Sequence, residues 1–327
     1  MLNVLDLFSG IGGFSLGFER TGWHTIGFCE IEPSCQRVLA KHWPNTPIIS
    51  DIRNLNATSA PDSVDIICGG FPCQDISVAG KKAGITGSRS GLWKEYARLI
   101  NELKPRYAII ENVANLRSSG LVTVLTDLWQ IGYDAEWHCV PASALGAPHR
   151  RDRIWIIAYP NRERCNGGRN HREKRYIQGD QERFDSKIYE EWHRGQPGSG
   201  SVCEILADTV RAGLEGHSNL TGDACTRGQI LQPSQVSLLR SLGGNPWWGN
   251  EPDISRLKDN GLNPDWVEWL MGFPIGWTEG GSRKERLCSL GNAVVPIIPE
   301  MIAFSINEYE KTYVHTHLSR QHDCETV

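Results

Sequence analysis

Val4-Leu5-Asp6-Leu7-Phe8 runs directly into Ser9-Gly10-Ile11-Gly12-Gly13-Phe14, so an apolar run closes in a glycine-rich turn. The glycines let the backbone turn sharply and approach a ligand, and Phe14 to Arg20 then carries apolar residues at helical spacing. Such a turn by itself is equally compatible with a purely structural bend. The same alternation continues outward from it. Apolar runs at Thr25 to Cys29, Pro47 to Ser50, Val64 to Cys68, Tyr107 to Ile110, Trp137 to Val140 and Ile154 to Ala158 alternate with helical spacing at Pro33 to His42, Leu92 to Leu103 and Leu121 to Gln130. This is the pattern of a parallel sheet covered by helices, an α/β fold with an open doubly wound sheet over residues 1–160. Sheets of this kind bind ligands beyond the carboxyl ends of their strands, which directs attention to the residues after each run.

The chain has 327 residues, 39% hydrophobic and 22% charged, a composition that excludes a collagen, a coiled coil and a wholly disordered chain. No apolar run in the sequence approaches the roughly 18 residues that would cross a bilayer, and no charged leader precedes Val4, so a cytoplasmic protein without a membrane partner is expected. Ten cysteines, none in a C-x-x-C pair, read as reduced thiols, and no metal site is expected. After Pro160 the periodicity breaks down, and 161–275 reads as a smaller, irregular domain, with 276–327 returning to the first. Helical spacing recurs from Asp265 to Met271 and from about Val295 to Glu310, and the spacing of Trp266 and Trp269 places both in the core. The net charge of -4 conceals a local excess of about 12 Lys+Arg over about 8 Asp+Glu between His149 and Ser199.

Three successive strand ends each offer an acid: Asp6, Glu30 and Asp51. A carboxylate after the second strand is where doubly wound folds hold ribose hydroxyls, and without G-K-S/T this is a nucleoside site lacking phosphate machinery. The fourth run ends in Gly69-Gly70-Phe71-Pro72-Cys73-Gln74, which sets a thiol at the ligand edge beside a loop of Lys, Gly, Ser and Arg. Nearby positive charge favours its thiolate. The fifth run ends in Glu111-Asn112-Val113, with the alternative that Glu111 only caps the next helix. Before the seventh run stand Arg151 and Arg153, which, two apart, should point the same way.

Five of these motifs together resemble the bacterial and phage cytosine-5 DNA methyltransferases: D-L-F-S-G-I-G-G at Asp6 to Gly13, G-F-P-C-Q at Gly70 to Gln74, E-N-V at Glu111 to Val113, R-R-D-R-I at Arg150 to Ile154 and G-N-A-V-V-P at Gly291 to Pro296. The resemblance covers about the first 160 residues and the last 65. It implies a Rossmann-like methyltransferase sheet, S-adenosyl-L-methionine as cofactor, and a target-recognition domain in the irregular region. Phe8, Ile11 and Gly13 would wall the cofactor, with Glu30 on the ribose and Asp51 with Ile52 at the adenine. Pro72, Leu92, Asn292 and Val294 would complete that pocket. Cys73 corresponds to the nucleophile, Glu111 to the acid at cytosine N3, Arg151 and Arg153 to the basic pair beside the base, and Gln74 to Leu92 with Arg89 to the loop that closes on DNA.

The implied partner is double-stranded DNA, engaged by a monomer, with room for a cognate restriction endonuclease encoded elsewhere. The chain departs from the family at His149, where glutamine is usual, at Ile31, where some members carry an aromatic, and at Trp269, where arginine is frequent. Transfer to cytosine in RNA, a catalytically silent DNA-binding regulator and a nicotinamide oxidoreductase are the rival readings. The C-F-T signature of the RNA branch is absent, and Cys73 and Glu111 are both retained, against a silent regulator.

Overall fold

The structure, a computed structural model, describes residues 1–61, 63–72, 91–161 and 251–324, with side-chain surroundings through residue 311. Cys73, Gln74, Arg89 and residues 162–250 of the irregular region expected at 161–275 lie outside the described residues. Seven strands form one sheet: β1 (Asn3–Leu7), β2 (His24–Cys29), β3 (Ile48–Ile49), β4 (Ile66–Gly70), β5 (Tyr107–Val113), β6 (Tyr133–Pro141) and β7 (Asp152–Pro160), in the order 3-2-1-4-5-7-6. A separate two-stranded hairpin pairs β8 (Leu257–Lys258) with β9 (Gly261–Leu262). The described helices are α1 (Gly13–Glu19), α2 (Pro33–His42), α3 (Gly91–Leu103), α4 (Leu116–Ser119), α5 (Leu121–Gln130), α6 (Pro264–Leu270), α7 (Arg283–Asn292) and α8 (Ile297–Cys324).

Side chains alternate across the strands with period two, so the sheet builds two cores. Val4, Ile66, Cys68, Ile109 and Ile157 face α1, α2 and α8, while Leu5, Leu7, Ile67, Ala108 and Ile110 face α3 and α5. The helices follow from their apolar stripes. α2 buries Cys35, Val38 and Leu39 and starts with Pro33, whose missing N–H falls where no helical bond is made. α5 buries Leu121, Val124 and Leu128. Residues Pro33–His42 and Leu121–Gln130 are the ranges expected from the spacing alone.

The sheet departs from the parallel expectation at β7, which runs antiparallel to both β5 and β6. Only about ten residues link β6 to β7, too few for the crossover of roughly a dozen or more that a parallel neighbour requires. The reversal carries the amino end of β7 to the carboxyl edge of β5.

The C-terminal elements return to this sheet. A side chain at Gly13 would strike the Val294 carbonyl, and one at Gly17 the Pro296 carbonyl, so α1 lies directly on the segment before α8. Among the described residues, Arg283–Lys311 is long and apolar enough to cross a membrane, but more than half of its apolar stretch is buried in the protein, including Ile298, Met301, Ile302 and Ile306. Its apolarity is that of a core helix.

The expected burial of Trp266 and Trp269 is not found. Both are half-buried, and the fully buried side chain of α6 is Glu268. Burying a carboxylate is tolerable only when its oxygens are satisfied. Here the Gly276 and Thr278 amides, the Thr278 hydroxyl and Arg286 all donate to it. Trp266 instead donates to Glu251 at 2.7 Å and stacks under the Arg256 guanidinium.

Candidate active site

The β1–α1 turn is held in a left-handed conformation at Phe8 (φ 52°), Gly10 (φ 54°) and Gly12 (φ 81°). A side chain at Gly10 would meet nothing within 4 Å, so the turn faces open space there. The Gly10 amide donates to Glu30 Oε2 at 2.6 Å and the Glu32 amide to Oε1 at 2.8 Å. Glu30 is thereby fixed at the end of β2 with one N–H on each oxygen, which leaves further lone pairs for a pair of hydroxyls. Burial raises its pKa, and these amides oppose the rise.

At the end of β3, Asp51 accepts from the Arg53 amide and from the Arg53 guanidinium. Those contacts hold its pKa below the ordinary carboxylate value. Ile52 beside it is buried.

Asp6 does not belong to this row of acids. Its carboxylate points beneath the turn, fully buried, accepting the Ser15 hydroxyl at 2.7 Å. Burial pushes its pKa up to about 7. The alternation of β1 decides this, because Asp6 shares the face of Val4 and lies opposite Cys68 on β4.

The other residues expected around a cofactor are drawn to the same edge from different elements. Phe8 is half-buried and stacks on Tyr96 of α3 with ring centroids 6.3 Å apart. Pro72 follows β4, and Leu92 opens α3. Asn292 ends α7 as an exposed residue, and Val294 is held against Gly13. Ile11 alone is wholly within the core, so its backbone rather than its side chain borders the turn. A fixed carboxylate for a diol, an open glycine turn and acids for a cationic ligand fit S-adenosylmethionine, and Glu30, Asp51 and Phe8 are the residues that would hold it.

Glu111 closes the carboxyl edge of the site. It lies opposite Gly70 on β4, where an added Cβ would come within 2.5 Å of Glu111 Oε2, so glycine is what makes room for the carboxylate. Arg153 donates to Glu111 Oε1 at 2.9 Å. On β5–β7, Glu111 pairs with Trp155 and Val113 with Arg153, which makes Glu111 and Arg153 diagonal neighbours on one face. Burial raises the Glu111 pKa, against the pull of Arg153 and then Arg151. Glu111 is therefore not a helix cap.

Arg151 does not share the Arg153 contact. With φ 37° it breaks the strand alternation, and its guanidinium donates to the Gly291 and Ala293 carbonyls at 2.9 and 2.7 Å. It ties the edge of β7 to the segment that carries Asn292 and Val294.

Cys73, the expected nucleophile, lies outside the described residues, which on this segment end at Pro72. The buried Asn112 donates to the Phe71 carbonyl at 3.0 Å, two residues before it. Sequence reasoning left Asn112 and Gly70 without roles, although both lie inside motifs it singled out. Trp277, which donates to the Ile11 carbonyl at 2.9 Å, had no sequence signal beyond being aromatic.

Strand order, reversed β7 and a ligand edge built on β1, β2 and β4 define a Rossmann-like methyltransferase fold. Solved structures agree: the chain resembles a DNA modification methyltransferase encoded within an Escherichia coli prophage (TM-score 0.56, 23% identity, covering 95% of this chain and all of that one) and the Schizosaccharomyces pombe Dnmt2 methyltransferase (TM-score 0.56, 18% identity, 94% and 99%). The chain belongs to the C-5 cytosine-specific DNA methylase family, which matches residues 2–308. It is 38% identical over 165 residues to the Bacillus subtilis type II methyltransferase M2.BsuMI, covering 48% of this chain and 42% of the relative. It is 34% identical over 164 residues to M.HhaI of Haemophilus parahaemolyticus, covering 49% and 50%. The chain thus spans about half the length of these curated relatives.

Proposed function

We propose that the chain is a DNA (cytosine-5-)-methyltransferase that methylates C5 of a flipped cytosine within a short double-stranded site through a covalent Cys73 adduct. The observation that carries this reading is the half-buried Glu111, braced by Arg153 at the sheet edge that also bears Glu30 and the glycine turn. C5 of cytosine is a poor nucleophile. Addition of the Cys73 thiolate to C6, with Glu111 hydrogen-bonding or protonating N3, gives the ring carbanion character at C5. A carboxyl whose pKa burial has raised is suited to hold that proton, and Arg153 both orients it and can face the base near O2.

S-adenosylmethionine supplies the electrophilic methyl group when bound. Glu30 would take its ribose hydroxyls, and Asp51 with Ile52 would border its adenine. Once C5 carries the methyl group, its proton passes to solvent as the C5–C6 double bond re-forms and the C6–S bond breaks, which releases Cys73 as the thiolate. The thiol cannot reach C6 within a stacked duplex, which is why the cytosine must leave it. The reading places a monomer in the cytoplasm with double-stranded DNA as its partner.

Bisulfite sequencing of DNA from cells expressing the chain should show cytosines protected at one recurring short site. A genome with no recurring protected cytosine would overturn the reading. Cys73→Ser should abolish transfer while DNA binding persists, and transfer at the wild-type rate would refute the covalent route.

A further inference from the structure

Trp277 is 7% exposed and lies 266 residues along the chain from the turn it touches. Its indole Nε1–H donates to the Ile11 carbonyl at 2.9 Å, at the crest of the β1–α1 turn. Gly10 and Gly12 flank Ile11, and both occupy the left-handed region. The N–H of the same peptide, that of Gly12, donates to the Ser9 carbonyl at 2.9 Å, so the turn holds one side of the Ile11–Gly12 peptide and the indole holds the other. The same turn presents the Gly10 amide that holds Glu30.

Trp277 is itself held on every side. Glu268 accepts from the amides before and after it, Gly276 at 2.6 Å and Thr278 at 2.7 Å. Lys41 donates to the Gly276 carbonyl at 3.0 Å and His42 to the Trp277 carbonyl at 2.8 Å. The His42 ring stacks on the indole at 3.5 Å with planes 6° apart. Lys41 and His42 end α2, the helix that begins three residues after Glu30. One indole therefore bridges the turn and the helix between which Glu30 is suspended.

Resting on the reading of this edge as the S-adenosylmethionine site, we propose that Trp277 is a positioning residue for the cofactor. It sets the Ile11 peptide, and through it the Gly10 amide, against Glu30, without touching the cofactor itself. Glu268 anchors the indole from α6, so the hairpin side of the chain bears on cofactor affinity through a buried brace.

Trp277→Phe removes the Nε1–H and keeps an aromatic ring on His42. Calorimetry of the full chain with S-adenosylmethionine should show affinity about five- to tenfold weaker, the range of one buried hydrogen bond. The KM for the cofactor should rise in parallel, with kcat at saturating cofactor and DNA affinity within about twofold of wild type. Trp23→Phe serves as control, since it loses a comparable Nε1 bond, to Asn307 at 2.9 Å, away from the turn. A merely structural Trp277 would leave the two variants with equal cofactor affinity. Cofactor binding by Trp277→Phe within twofold of wild type would overturn the proposal. If that variant fails to fold, His42→Leu, which loses the stack and the carbonyl contact, decides the matter: weakened cofactor binding supports the brace, unchanged binding overturns it. A wild-type chain that does not bind S-adenosylmethionine would overturn the reading beneath the proposal, and the proposal with it.

Discussion

Replacing Asp6 by Asn should stabilise the protein above neutral pH, and progressively more as pH rises from acid to alkaline. Asp6 is fully buried, and burial lifts its pKa from 3.8 to about 7. A group whose folded pKa lies above its unfolded value favours the fold fully below the unfolded pKa, and that contribution disappears as pH rises through the folded one. The shift of about 3 units corresponds to about 4 kcal/mol between the two limits, of which about 2 kcal/mol falls between pH 5.5 and 8.5. Asn keeps an oxygen to accept the Ser15 hydroxyl and carries no charge to desolvate. The free energies of unfolding of wild type and Asp6→Asn, measured by urea denaturation across that range, should diverge by about 2 kcal/mol in favour of the variant at high pH. A difference that stays constant from pH 5.5 to 8.5 would refute the argument, because it would mean that Asp6 ionises in the fold as it does in the unfolded chain.

Other outcomes follow from the same structure. Gly70→Ala should push the Glu111 carboxylate away from Arg153, because the new Cβ would come within 2.5 Å of Oε2. Methyl transfer should drop about 100-fold, with S-adenosylmethionine affinity from calorimetry little changed. Burial lowers the pKa of the half-buried His138 from 6.5 to about 4, so the ring is neutral in the fold near neutral pH and stability should decline as pH falls from about 6.5 towards 4. The full effect is about 3 kcal/mol, and His138→Gln should flatten this acid limb in thermal melts. Raising salt fourfold should weaken DNA binding at least about tenfold in a fluorescence titration while calorimetric cofactor affinity stays within about twofold.

How much of the site the sequence disclosed differs from residue to residue. Glu30 and Asp51 were legible because they follow apolar runs, and the carboxyl edge of such a sheet is where ligands bind. Asp6, in the same motif, looked equivalent, and only the two-residue period of β1 shows that it points beneath the turn. The spacing of Trp266 and Trp269 points both to the core, because an apolar period is blind to a buried carboxylate. Four donors around Glu268, from residues 8 to 18 positions away, reversed that face. Pro72 and Glu111 are singled out by their motifs, whereas Gly70 owes its place to a neighbour on another strand.

The sequence by itself determined the alternation that makes an α/β sheet, the ranges of α2 and α5, and the inventory of acids, arginines and glycines, because these depend on period and local backbone preference. Tertiary structure decided which of them meet. Arg153 sits at the amino end of its strand, and in a parallel sheet that end lies at the edge opposite the ligand. The reversal of β7, forced by a connection too short for a crossover, brings it to Glu111 instead. In the same way Val294 reaches Gly13, and Trp277 reaches Ile11 across 266 residues. Contacts of that range leave no period in the sequence, since they depend on where whole elements pack.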